Sequence, residues 1–150
     1  MSIVKRGDQF HGDDHADIVT VLTDYSKRGR HLVAHSATAR CSCGADEFRL
    51  AVDDAAGIAV RECAECDEDH SIGAEVDEVD EDLEDANLEV CECPCGADTF
   101  QIAIGVAVQQ GTDAARWVYV GCRCTSCGLL GCYADWKCDV ANYRRLLALV

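Results

Sequence analysis

Long apolar runs are absent from this sequence. Its longest uncharged apolar stretches, such as Ile102 to Val108, are far shorter than the roughly 20 residues that a helix needs to span a bilayer. Residues 1–8 contain no apolar segment of the kind that directs secretion, which sets the expectation of a reducing cytoplasm and no membrane. Cations are scarce too: 13 Lys and Arg stand against 28 Asp and Glu, a formal net charge of −15. Such a chain repels nucleic acid and anionic membrane surfaces at long range, because binding a phosphate backbone depends on counterions displaced by Lys and Arg. A local cluster, Lys27, Arg28 and Arg30, is all that speaks for nucleic acid. Motifs for catalysis are also missing. No Ser-His-Asp order, phosphate-cradling glycine loop or paired-carboxylate context stands out among the 28 acids, so a non-enzymatic protein is expected.

What the chain has in excess is cysteine, twelve in 150 residues. In a reducing compartment, clustered cysteines at short spacing point to metal ligation rather than to disulfides. Eight of the twelve belong to an internal repeat. The octad Cys41-Ser42-Cys43-Gly44-Ala45-Asp46-Glu47-Phe48 returns 52 residues later as Cys93-Pro94-Cys95-Gly96-Ala97-Asp98-Thr99-Phe100, with six of eight positions identical. An alternating apolar segment follows each: Phe48, Leu50 and Val52, then Phe100, Ile102, Ile104, Val106 and Val108. Both read as strands with one buried face. Each leads through a turn to a returning strand that ends in a C-x-x-C pair, Cys63 with Cys66 and Cys124 with Cys127.

The flanks are simpler. Ile18, Val21, Leu22 and Tyr25 recur at helical spacing, predicting one small amphipathic helix with Asp13 or Asp14 as N-cap and Gly29 as a stop. The first ten residues show no periodicity and read as a loose arm, whereas His31 to Arg40 suits a strand. Glu75 to Val90 carries nine acids and no base, an acidic connector in which Val76, Val79, Leu83 and Ala86 suggest one helical stripe. The last residues read as a short terminal helix or strand docking Leu146, Leu147 and Leu149. These divisions give an arm and helix over 1–40, a first unit over 41–76, a connector over 77–90, and a second unit with its C-terminal extension over 91–150. The expected fold class is mainly β with flanking helices, built on two β-hairpin units.

Two cysteines separated by one or two residues wrap a tight turn around a metal, and a second such turn completes a tetrahedral shell. Gly44, Gly96 and Gly128 suit the backbone positions of these turns that require positive φ, and Asp67 stands where Gly128 stands in the second unit. The arrangement resembles the zinc-ribbon superfamily over Cys41 to about Glu75 and Cys93 to about Lys137. The string from Arg123 to Lys137 is also similar to uncharacterised bacterial paired-ribbon proteins, a likeness that implies no activity. By this resemblance Cys41, Cys43, Cys63 and Cys66 hold one Zn2+, and Cys93, Cys95, Cys124 and Cys127 hold a second. The C-x-C first arm departs from the commoner C-x-x-C.

Cys91, Cys122, Cys132 and Cys138 are left over, open to three readings: buried small hydrophobes, a labile disulfide or redox pair, or an additional metal site. Cys91 and Cys122 each lie two residues before a ligand position and share its strand face, and Cys132 and Cys138 share parity. His11 and His15 read as a solvent-exposed pair, and His70 is an unneeded substitute ligand. Trp117, Tyr119, Tyr133 and Trp136 read as core of the second unit. The resulting expectation is a zinc-binding, acidic interaction or regulatory module whose partner is another protein with a basic surface, as an immunity-type inhibitor has. The alternatives are a thiol redox or metal-responsive protein using the spare cysteines and, against the charge, a nucleic-acid-binding ribbon.

Overall fold

A computed structural model describes residues 4–6, 9–29, 31–53, 57–72 and 88–148. Its centre is three long antiparallel strands, β8 (Phe100–Val108), β9 (Ala115–Cys124) and β10 (Leu129–Val140). The repeated alternation of Ile and Val explains β8 and β9: Ile102, Ile104 and Val106 face Cys122, Val120 and Val118 on one side of the pleat. That side joins the main core with Phe48, Leu50, Ala59 and Ile72 from the preceding unit. In that unit β4 (Phe48–Asp53) pairs with β5 (Ile58–Cys63), and β5 with β6 (Asp69–Ser71). Phe48 also pairs with Phe100, which fuses both hairpins into one sheet.

The helix α1 (His15–Ser26) forms as its periodicity requires. Asp14 is the N-cap, its side chain accepting from the Asp17 N–H at 3.2 Å, and Ile18 and Leu22 are buried. The helix ends at Ser26, whose hydroxyl accepts from the Val33 N–H and donates to the Thr23 carbonyl. Its apolar stripe covers the second face of β8 and β9, so β8 is buried on both faces, where one buried face was expected. Where α1 crosses this second face the residues are small, Ala103, Gly105 and Gly121, which lets the helix approach. A Cβ on Gly121 would stand 2.7 Å from Ile18 Cγ2 and 2.8 Å from Leu22 Cδ2. β4 keeps the single buried face that alternation implies.

Residues 4–6 and 9–11 form strands where a loose arm was expected. β1 (Val4–Arg6) pairs with β2 (Gln9–His11), and β2 pairs with the start of β10 through His11 with Leu129 and Phe10 with Leu130. The Gly12 N–H donating to the Gly128 carbonyl at 2.9 Å extends this pairing. The segment 31–40 contributes β3 (His35–Thr38), paired with β8 and leading into Cys41. The acidic connector lies outside the described residues except at its end, where β7 (Glu89–Val90) pairs with β4. At the other terminus α2 (Tyr143–Ala148) buries Tyr143 and Leu146, with Leu147 partly covered; Leu149 lies outside the described residues. Tyr143 stacks on His35 at 3.6 Å between ring centres, tying α2 to β3. The fold is therefore mainly β, an antiparallel sheet with two short helices. Among the described residues no helix is long and apolar enough to cross a membrane.

Candidate metal centres

Two matching loops build each cysteine cluster. In the first, the Cys41 N–H donates to the Ala45 carbonyl and the Gly44 N–H to the Cys41 carbonyl, at 2.8 and 2.9 Å; in the second, Cys93 bonds Ala97 and Gly96 bonds Cys93, both at 2.8 Å. Gly44 and Gly96 have φ of 94° and 95°, a region that L side chains avoid. On the returning side, the Asp67 N–H meets the Cys63 carbonyl and the Gly128 N–H the Cys124 carbonyl, with φ of 62° and 81°. Asp67 occupies the left-handed conformation more readily than most residues do, as expected where Gly128 stands in the other loop. A further bond ties the two arms of each unit, Ala64 N–H to Glu47 and Thr125 N–H to Thr99.

These loops bring the eight repeat cysteines together in two sets. Cys41 Sγ lies 3.4 Å from Cys66 Sγ and Cys43 Sγ 3.7 Å from Cys63 Sγ; Cys93 lies 3.5 Å from Cys127 and Cys95 3.6 Å from Cys124. Within each set all four sulfurs are within 4.8 Å of one another. Disulfide sulfurs are about 2.05 Å apart, so these are open thiols. Four thiolates at about 2.3 Å from a tetrahedral ion are about 3.8 Å apart, which these separations approach. In each set one cysteine of every pair is buried and the other exposed, placing the clusters at the protein surface with one side against the core.

Electrostatics in the metal-free clusters favour a first negative charge and resist more. The Cys43 N–H, ahead of all other influences, helps hold the Cys41 thiol down to about 7. At Cys124 burial pushes upward, but the N–H groups of Cys127 and Ser126 and the neighbouring thiols outweigh it and bring the group to about 7. Cys93 is pushed up to about 12 by burial, with the Cys95, Cys127 and Cys124 thiols adding to it against the Cys95 N–H. A divalent cation removes the mutual repulsion that keeps the later protons on.

The remaining sites divide differently. Cys122 is fully buried, with Cys91 and Cys132 among the groups acting on it, while Cys91 packs against the main core. Cys132 and Cys138 do not share a face: Cys132 packs in the α1 cluster and Cys138 against the main core. Irregularities in β10 after Cys132 and after Lys137 each insert one residue, and a one-residue slip moves a side chain to the opposite face. On β9, Trp117 and Tyr119 lie on the helix side, while on β10 Tyr133, edge-on to Phe100, and Trp136 join the main core. His11 and His15 are half-buried rather than solvent-exposed, the first beside β10 and the second at the start of α1. Burial lowers the His15 pKa. Neither they nor His70, which lies in β6 opposite Arg61, falls within a set of three or more potential ligands among the described residues.

Arg61 is a buried neighbour of the first cluster that sequence reasoning missed. It is buried at 6% exposure, with its guanidinium 4.6 Å over the Phe48 ring; burial lowers its pKa, and Cys41, Glu68 and Cys63 are the groups that favour its charge. The available signal was parity: Arg61 stands two residues before Cys63 on one strand and so shares its face. Two four-thiol sets on a mainly β scaffold are thus compatible with structural metal binding. Compared with protein-family models, curated proteins and solved structures, the chain finds no match.

Proposed function

We propose that this protein binds two structural Zn2+ ions, one in each four-cysteine set, as two ribbon units, and that the folded body acts without catalysis of its own as an acidic protein-interaction or regulatory module. The observation that carries the metal reading is the approach of four sulfurs to within 4.8 Å, twice, on loops with matching hydrogen bonds. All-sulfur tetrahedral sets favour zinc among the common divalent ions, and four protein ligands leave no position for a substrate. Structural zinc contributes on the order of 10–16 kcal/mol of apparent binding free energy coupled to folding. Each loaded site adds four thiolates against one dication, a further −2, taking the formal −15 to −19. Such a surface steers toward a basic protein partner, an inhibitor of the immunity type being one example, within a reducing cytoplasm.

Native mass spectrometry with and without chelator tests the metal reading. Two zinc ions per chain are expected, and a chain that takes up none after refolding with zinc would overturn it. Capture of a partner that weakens steeply between low and moderate salt supports the acidic-surface role, and salt-insensitive capture counts against it. A second reading, thiol redox chemistry, is favoured by the placement of Cys91 and Cys122 around one core. It predicts a disulfide between these two that forms reversibly while both zinc ions stay bound.

A further inference from the structure

Arg61 and Cys122 occupy matching places with opposite electrostatic character. Phe48 pairs with Cys63 as Phe100 pairs with Cys124, and two residues back along each returning strand Leu50 faces Arg61 and Ile102 faces Cys122. Both side chains are buried and share a face with the adjacent cluster cysteine. One unit therefore has a cation behind its sulfurs where the other has a neutral thiol.

A buried guanidinium is costly unless it meets negative charge or a π face. Arg61 meets both, the Phe48 ring on one side and Cys41, Cys63 and Glu68 on the other. Glu68 is an opposing influence, with its carboxylate 4.0 Å from Cys41 Sγ, but it is exposed and screened by water whereas Arg61 is not. The outer faces differ in the opposite sense: Arg49 ion-pairs there with Glu62 and Asp67, whereas at the matching positions Arg123 donates to the neutral Gln101 and Gly12 carbonyl. Both of these arginines lie on the more exposed face, where water screens them, and Arg61 is buried. Behind the second cluster lie Cys91, Cys122 and Tyr133.

We infer that the two metal sites are unequal: Arg61 is a buried counter-ion that retains the first metal, and the second site, with Cys122 in that place, is the exchangeable one. This rests on the zinc loading proposed above. A zinc tetrathiolate carries a net charge of −2, and a desolvated positive charge beside it stabilises the loaded form far more than an exposed one does. Arg61 is a positioning residue that acts on the ion through Cys41 and Cys63. On its buried side the second cluster has only neutral neighbours, Cys91, Cys122 and Tyr133, where the first has Arg61.

The test is release of zinc from the full-length, two-zinc protein into excess EDTA, followed by native mass spectrometry with alkylation of the newly freed thiols. A one-zinc species is expected to accumulate, with Cys93, Cys95, Cys124 and Cys127 labelled while Cys41, Cys43, Cys63 and Cys66 stay protected. Arg61→Met should speed loss from the first site by about 10- to 100-fold, the usual effect of removing an outer-shell partner, and Arg61→Lys should restore most of the retention. A role in packing alone would treat Lys no better than Met. Simultaneous loss of both ions, first-site loss ahead of the second, or equal rates in Arg61→Met and the native chain would each overturn the inequality. If Arg61→Met does not fold, the order of release from the native chain decides alone. A chain that takes up no zinc at the start fails the loading itself, a separate result.

Discussion

Phe48 and Phe100 pair with one another across β4 and β8, and they are the residues that close the two copies of the repeated octad. Both are wholly buried. Because β4 and β8 run antiparallel from this shared pair, each hairpin leads away from it toward its own turn, while the cysteine loops lie beside the pair, with Phe48 opposite Cys63 and Phe100 opposite Cys124. Each ring then has a different second neighbour, Arg61 for Phe48 and Tyr133 for Phe100, with the Tyr133 ring edge-on at 5.1 Å.

Truncating either ring to alanine should cost about 3–5 kcal/mol of stability. Because the two rings belong to one contact, the double variant Phe48→Ala with Phe100→Ala should lose less than the sum of the single losses. Urea unfolding at fixed zinc concentration measures all three, and strict additivity would show that the rings do not act as one unit.

The parts of the fold that were legible in the sequence are those written in local spacing. The octad placed the cysteine loops, alternation placed β4 and β8, and Asp14 with the Ile18 and Leu22 stripe placed α1. Features set by distant partners were not legible. β2 has three residues and is held by Leu129, Leu130 and Gly128, far along the chain. The second buried face of β8 was masked because Ala103 and Gly105 read as weakly apolar, although their small size is what admits the helix. Extra residues in β10 leave no mark on a period-two pattern, so the faces of Cys132 and Cys138 were misjudged. Arg61 was missed because a charged residue on a strand is ordinarily assigned to solvent.

The close approach of α1 to the sheet makes Gly121 sensitive to any side chain. Gly121→Val should push Ile18 and Leu22 outward and cost about 1–3 kcal/mol, since overpacking forces shifts in backbone or rotamer. Gly111→Ala is the control: nothing lies within 4 Å of its Cβ position, and the strain of a φ of 78° is the whole cost, about 1–2 kcal/mol. Near-UV circular dichroism should change for the first variant, where α1 packs near Tyr119, and stay native-like for the second.

Burial should make Cys122 the least reactive of the four spare thiols. Burial, with Cys91 and Cys132 adding to it, holds its pKa well above the ordinary thiol range, so the nucleophilic thiolate is scarce at neutral pH. Cys91, Cys132 and Cys138 are only half-buried. Brief treatment of the zinc-loaded protein with iodoacetamide, followed by peptide mapping, should label these three ahead of Cys122. Early labelling of Cys122 would mean that the second unit opens readily in solution.

Proton competition sets the pH behaviour of the metal sites. Metal-bound thiolates have pKa values depressed far below the unfolded thiol, so the stability they contribute is present at high pH and is lost as the pH falls through the folded, metal-bound values. In the metal-free clusters Cys41 and Cys124 already titrate near 7, chiefly through the Cys43 N–H for Cys41 and through the Cys127 and Ser126 N–H groups opposing burial for Cys124. A bound dication lowers those values further. Zinc content and thermal midpoint should therefore stay level above pH 7 and fall together only well below it, while the EDTA-treated protein should lack that coupled drop. A midpoint that falls identically with and without zinc would show that some other titrating group governs stability, and that the four-cysteine sets contribute little to holding the fold.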